Sequence, residues 1–271
     1  MSHRTDQAFL LGVQYRTDSN LAARQSIYQY QQPRVDLVAQ TLDIAGAADG
    51  DTVADVGCGN GRYLAALAAR RAALSGPPAP SGKASPAAAD TGPGHLLAVD
   101  MSPGMLAVTR AVSGASPFVA DAARLPLRDG SVDVLLAMHM LYHVPDPAEA
   151  VREFRHVTRP GGRVIVGLNG AGHLDELRAI LATALPMAQT AYAAVNERLT
   201  LDRGEELLRP VFGSVTRHDF TSTIVLTEVE PVIAYVRSHA SPDIEALVEA
   251  VTDAIELPFR IGTHSGCLVS G

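Results

Sequence analysis

The sequence predicts an α/β fold, a mostly parallel sheet with helices on both faces, and three observations carry that expectation. Short apolar runs alternate with amphipathic stretches of helical period, the pattern of repeated strand–helix–strand units. The first run, Val53-Ala54-Asp55-Val56, breaks into Gly57, Gly59 and Gly61 and passes at once into Tyr63, Leu64, Leu67 and Leu74 at helical spacing. Strand, glycine turn, helix is the shape of a nucleotide-binding corner. Bare backbone there lets a ligand approach, and the free N–H groups of the helix point at it. A later run, Ser131 to Met138, is apolar almost throughout, as expected of a central parallel strand.

Composition narrows the possibilities. A chain of 271 residues suits one α/β domain with additions, or at most two small domains. Its net charge of −7 argues against a general polyanion binder, so nucleic acid is not an expected partner. Cys58 lies in the glycine turn and Cys267 near the end. Two distant cysteines give neither a disulfide framework nor a metal spacing, and no metal is expected. There is no apolar run of signal-peptide length at the start and none long enough to span a bilayer. The expectation is a cytoplasmic protein without a membrane partner.

Asp18 or Ser19 suits the cap of a helix over about 21–30. Pro33 suits the first turn of a second, with Val35, Leu37, Val38, Leu42 and Ile44 as its apolar positions. After the glycine helix, residues 75–94 are almost wholly Pro, Ala, Gly and Ser and read as a flexible insertion. His95 to Asp100 is a second buried strand ending in an acid, where a ribose is gripped by its two hydroxyls. Ser102-Pro103 looks like a capped helix start. Phe118 to Ala122 reads as a third strand, and Asp121 suits either a ligand contact or a turn cap. Ser131 to Met138, the fourth, delivers His139-Met140-Leu141-Tyr142-His143 at its carboxyl end, where open α/β sheets bind ligands. Asp146, Pro147 and Glu149 form the start of a helix with the stripe Ala150, Val151, Phe154 and Val157. A fifth strand follows over 163–168. Residues 171–210 read as helical with a break at Pro186, 215–226 as a strand, Thr227 to Glu230 as a capping box, and 259–269 as a closing strand.

The glycine spacing decides the ligand. A dinucleotide fingerprint needs its third glycine where this chain has Arg62, and Asp55 stands where a pyrophosphate would be repelled but a cationic amine welcomed. Asp55 through Gly61 resembles motif I of the class I S-adenosylmethionine-dependent methyltransferases. Val99-Asp100-Met101-Ser102-Pro103-Gly104-Met105-Leu106 is similar to a phrase common in that family. The series His143-Val144-Pro145-Asp146, Glu153, Val157 and Arg159-Pro160-Gly161-Gly162 resembles the methyltransferase-11 group. The likeness covers residues 53–170.

This resemblance implies a Rossmann-like methyltransferase sandwich: a mostly parallel seven-stranded sheet with one antiparallel strand. It implies a helical lid over 1–48, a cofactor core over 49–170, and substrate-wall helices and closing strands of the same domain over 171–271. It implies S-adenosylmethionine as cofactor and S-adenosylhomocysteine as product. The expected cofactor contacts are Asp55, Gly57, Cys58, Gly59, Gly61, Asp100, Met101, Asp121, Ala122 and Met138. Tyr15, Tyr28, His139 and Tyr142 are expected to face substrate, with Arg24 and Tyr30 as further lid positions. His139 and then His143 are the candidate bases, because an unperturbed imidazole titrates near neutrality. Each also reads as a structural imidazole bonded to backbone. The leading function is methyl transfer to a small-molecule acceptor. Methylation of RNA or protein, and a catalytically silent cofactor-binding regulator, are the alternatives.

Overall fold

The computed structural model describes residues 12, 15, 18–75, 94–184, 199–239 and 244–271. The strands are β1 Gln31–Gln32, β2 Val53–Val56, β3 Leu96–Asp100, β4 Ser116–Val119, β5 Val132–Met138, β6 Thr158–Asn169, β7 Thr216–Leu226 and β8 Phe259–Ser270. They make one sheet in the order β1-β7-β8-β6-β5-β2-β3-β4. β2 to β6 run parallel, and β8 runs antiparallel to both β6 and β7. The seven expected strands are therefore present. A two-residue strand, β1, adds an eighth at the edge, antiparallel to β7.

The helices are α1 Ser19–Ser26, α2 Leu37–Ala45, α3 Arg62–Ser75, α4 Pro103–Ser113, α5 Pro147–Val157, α6 Asp175–Ala184, α7 Leu201–Phe212, α8 Glu230–Arg237 and α9 Ile244–Ala254. Side chains alternate across a strand, so each parallel strand feeds two cores. Leu135 and Ala137 of β5 pack on one face with Phe154 of α5 and Leu208 of α7. Val134, Leu136 and Met138 pack on the other with Leu42 of α2 and Leu64 and Leu67 of α3. A third cluster gathers Leu177 of α6, Val232 of α8 and Leu247 of α9 on Ile224 and Ile261 of β7 and β8. Phe154 is fully buried, and truncating it to Ala costs about 3–5 kcal/mol by analogy with other cores.

This topology fixes where a ligand can sit. The chain steps from β2 outward through β3 to β4, then returns to lay β5 on the other side of β2. The strand order reverses between β2 and β5, so the crevice opens at their carboxyl ends.

Several local expectations need correction. Pro33 stays outside α2: the helix starts at Leu37 because the Asp36 carboxylate accepts from the Ala39 N–H at 2.9 Å. Thr227 caps nothing, since α8 takes Val229 as its N-cap without a side-chain bond. The third strand ends at Val119, leaving Asp121 in the following turn. Leu74 is 75% exposed, on the outer side of α3. Of the expected insertion over 75–94, residues 76–93 lie outside the described residues, as does Pro186. Where capping chemistry was local it held. Ser102 Oγ accepts from Met105 N–H at 3.3 Å, and Asp146 accepts from the Ala148 and Glu149 amides at 2.9 and 3.1 Å.

Candidate active site

A cavity lies at the carboxyl ends of β2, β3 and β5, roofed by α1. Its floor is the glycine turn. Gly57 and Gly59 have φ of +68° and +54°, and a Cβ on Gly57 would stand 2.6 Å from Met140 Cβ, so both conformation and crowding require glycine. The turn is tied to β3: the Gly57 and Cys58 amides donate to the Val99 carbonyl at 2.7 and 3.1 Å. Gly61 is different. It does not line the cavity, and a Cβ there would meet Thr109 Cγ2 at 2.6 Å, so it admits α4 rather than a cofactor.

Two acids flank the turn in contrasting states. Asp100 accepts from the Ser102 N–H at 2.8 Å and the Gly59 N–H at 3.0 Å. Burial raises its pKa, and those bonds oppose the rise. Asp55 is fully buried, and neither carboxylate oxygen has a partner among the described residues. The turn therefore does not lean on it. Burial, and then the charge of Asp100, pushes Asp55 up to about 8, while Arg62 pulls the other way.

Asp121 lines the cavity and also caps its own turn, accepting from the Ala123 N–H at 3.0 Å. Ala122, Met101 and Met138 line the same wall. Cys58 lies in the floor with Sγ 3.6 Å from Thr109 Oγ1, and burial holds its thiol protonated.

His139 follows β5 with φ of +55°, a left-handed backbone that a non-glycine residue rarely adopts. Its N–H donates to the Gly167 carbonyl at 2.9 Å, and its ring faces the cavity without a hydrogen-bond partner among the described residues. Burial, then the charge of Arg62, pulls its pKa down to about 3. The imidazole is thus neutral at physiological pH, a weaker base than an unperturbed histidine. His143 stands next along the wall, its Nε2 3.0 Å from the Tyr15 hydroxyl and its ring edge-on to Tyr142 at 4.7 Å. Tyr15 and Tyr142 line the cavity with it.

Tyr28 does not line the cavity. The helix tightens into a 3₁₀ turn at Ile27–Tyr30 that packs against β7. Its hydroxyl meets His173 Nε2 at 3.0 Å. The His264 N–H donates to His173 Nδ1 at 3.1 Å, which fixes the His173 proton on Nε2 and makes it the donor to Tyr28. Nor do residues 171–184 or 199–210 contribute to the wall: α6 packs on α9 and β8 instead.

Arg62 and Asn60 are among the contributors that escaped the sequence reading. Arg62, at the start of α3, lines the cavity and donates to the Tyr63 hydroxyl at 3.2 Å. Asn60 donates to Gln25 of α1 at 3.1 Å, clasping roof to floor. Arg24, an expected lid position, lines the cavity. Its Nη1 donates to the Ser238 carbonyl at 3.1 Å, and its Nη2 is buried without a partner among the described residues. Among the described residues no group of His, Cys, Asp and Glu is arranged to hold a metal. No helix among them is long and apolar enough to cross a membrane.

The fold is the Rossmann-like one of class I methyltransferases. Residues 79–166 match the family model described as "Methyltransferase domain", of the methyltransferase-11 group. An uncharacterised transposon protein of Streptomyces fradiae is 36% identical over 130 residues, 46% of this chain and 32% of that protein. The ubiquinone biosynthesis O-methyltransferase of Xylella fastidiosa is 30% identical over 139 residues, 49% of this chain and 46% of that one. The chain thus spans less than half the length of these curated relatives. A solved structure from Bacillus halodurans C-125, provisionally assigned as a methyltransferase, superposes with a TM-score of 0.59 at 17% identity. It covers 87% of this chain and 97% of that one, a likeness of fold.

Proposed function

We propose that this chain transfers the methyl group of S-adenosylmethionine to a small-molecule acceptor. The observation that carries the reading is the buried, unpartnered Asp55 carboxylate beside the cavity. An orphaned buried acid costs stability unless a ligand satisfies it, and a cationic amine is the group that does so. The cofactor's ammonium is such an amine. The carboxylate of Asp100, already oriented by two amides, has lone pairs left for a ribose diol. Asp121 is the acceptor for the adenine amino group, with Ala122 beside it. Arg62, whose charge reaches Asp55, answers the cofactor's carboxylate.

When bound, S-adenosylmethionine supplies an electrophilic methyl on a positively charged sulfur. The protein's task is then to hold donor and acceptor in line and dry, which is worth roughly 7–11 kcal/mol. α1 closes the cavity from above through Gln25 and Asn60. His139 presents a neutral nitrogen on the acceptor side. It accepts a hydrogen bond from an incoming hydroxyl or amine and aligns its lone pair, without forming a stable imidazolium. A small-molecule acceptor is supported by the cavity at the strand ends, by the acidic net charge and by the substrate class in the name of the Xylella relative.

The test is to incubate the protein with methyl-labelled S-adenosylmethionine and an extract of its source cells, then to separate small molecules, RNA and protein. Label among the small molecules supports the proposal. Label in RNA or protein moves the acceptor to a macromolecule. Binding without any label leaves a silent cofactor-binding protein.

A further inference from the structure

The cavity holds one more guanidinium than the proposed cofactor uses. The inference that follows rests on that cofactor reading. S-adenosylmethionine brings a single carboxylate, and Arg62 stands at the Asp55 end to meet it. Arg24 stands elsewhere, on the roof helix, with Cζ 5.4 Å above the Tyr15 ring. The Tyr15 hydroxyl reaches His143, and Tyr142 packs edge-on against the same imidazole. Arg24 thus belongs to the aromatic end of the cavity.

Its two terminal nitrogens differ. Nη1 donates to the Ser238 carbonyl at 3.1 Å, which fixes the plane of the guanidinium. Nη2 is buried and has no acceptor among the described residues. A buried charged donor left unsatisfied is costly, and a ligand that brings an acceptor removes that cost. The acids Asp55, Asp100 and Asp121 of the same cavity are committed to the cofactor's ammonium, ribose and adenine. The missing acceptor must arrive with the second substrate.

We infer that the methyl acceptor is a small carboxylic acid bound as its anion, with its carboxylate taken by Arg24 and its body among Tyr15, Tyr142 and His143. A planar guanidinium is matched to a carboxylate in geometry as well as charge. Aromatic walls with two torsions each give a flat body contact area at low entropic cost.

The experiment uses the full chain loaded with S-adenosylhomocysteine and follows ligand binding by calorimetry, without turnover. The probes are benzoate and phenylacetate, each against its own primary amide. The inference expects each acid to bind at least about tenfold more tightly than its amide, the scale of one charge-assisted hydrogen bond. It expects Arg24→Gln to bring the acids down to the level of the amides, with affinity for S-adenosylhomocysteine held within threefold. Acids and amides that bind alike, or acids that do not bind, overturn it on the wild-type protein alone. An Arg24→Gln variant that loses S-adenosylhomocysteine tenfold or more also overturns it, because Arg24 is then the cofactor's partner. Failure of the wild type to bind S-adenosylhomocysteine sinks the cofactor reading beneath it, and is visible before any acid is added.

Discussion

Asp55 and Asp100 end adjacent parallel strands, and only one of them is solvated by the protein. Asp100 takes the amides of Ser102 and Gly59, while Asp55 takes none and is pushed further from ionisation by its neighbour's charge. The asymmetry is what a site needs when one acid must be oriented in advance and the other must wait for a cation.

Cofactor binding should therefore release a proton. Free Asp55, pushed up to about 8, is largely protonated at pH 7, and an ammonium beside it favours the ionised form. Calorimetric titration with S-adenosylmethionine at pH 7, in two buffers of different ionisation enthalpy, should show net release. Asp55→Asn should abolish it and weaken binding. Wild type and variant with equal proton counts would show that Asp55 does not meet the ligand.

The same group ties stability to pH. The folded chain holds the Asp55 proton up to about 8, whereas the unfolded chain loses it near the ordinary 3.8. The stability from this group is fully present below about pH 4, declines as pH rises through that window, and levels off above it. Without ligand, Asp55→Asn should melt higher than wild type at pH 8, and the gap should close toward pH 4. Thermal melts at both pH values check this.

Asp100→Ala removes the proposed ribose anchor and leaves the Gly59 and Ser102 amides unsatisfied. Affinity for S-adenosylmethionine should fall by about tenfold or more, with about 1–3 kcal/mol lost from folding. Titration and denaturant melts separate the two effects.

His139 combines strain with function. His139→Gly relieves a left-handed backbone worth about 1–2 kcal/mol, so the melting temperature should not fall while turnover drops. Because its imidazole sits near 3, the wild-type rate should show no inflection between pH 5 and 8 from this residue. An inflection there that disappears in His139→Gln would mean the ring ionises in the working range.

Gly61→Ala should destabilise the fold by about 1–3 kcal/mol, since a Cβ at φ +74° meets Thr109 at 2.6 Å. The protein that remains folded should keep its S-adenosylhomocysteine affinity within a few fold. A selective loss of affinity would return Gly61 to the cofactor floor.

Much of the fold was legible because its signals are local. Asp55 through Gly61, Ser102-Pro103 and Asp146-Pro147 each carry their own turn or cap chemistry, and near-continuous apolar runs mark parallel strands whatever surrounds them. Asp55 and Asp100 were legible for the same reason: they stand at the carboxyl ends of strands. What was not legible depends on where a side chain lands across space. Tyr28 looked like a lid residue until the 3₁₀ turn at Ile27 carried it to His173. Gly61 shares the spacing of Gly57 and Gly59, but its need comes from Thr109, 48 residues on. Arg62 carries no pattern of its own, and Gln31–Gln32 is a strand only because β7 offers it an edge. The pKa of His139 follows from burial, which spacing does not record.

The most direct test of the cofactor site is a crystal structure of the chain grown with S-adenosylhomocysteine. The account predicts the ligand's ammonium within hydrogen-bonding distance of Asp55 and its ribose hydroxyls on Asp100, under the roof of α1. Ligand seated away from these two acids, or an Asp55 carboxylate still without a partner beside bound ligand, would contradict it.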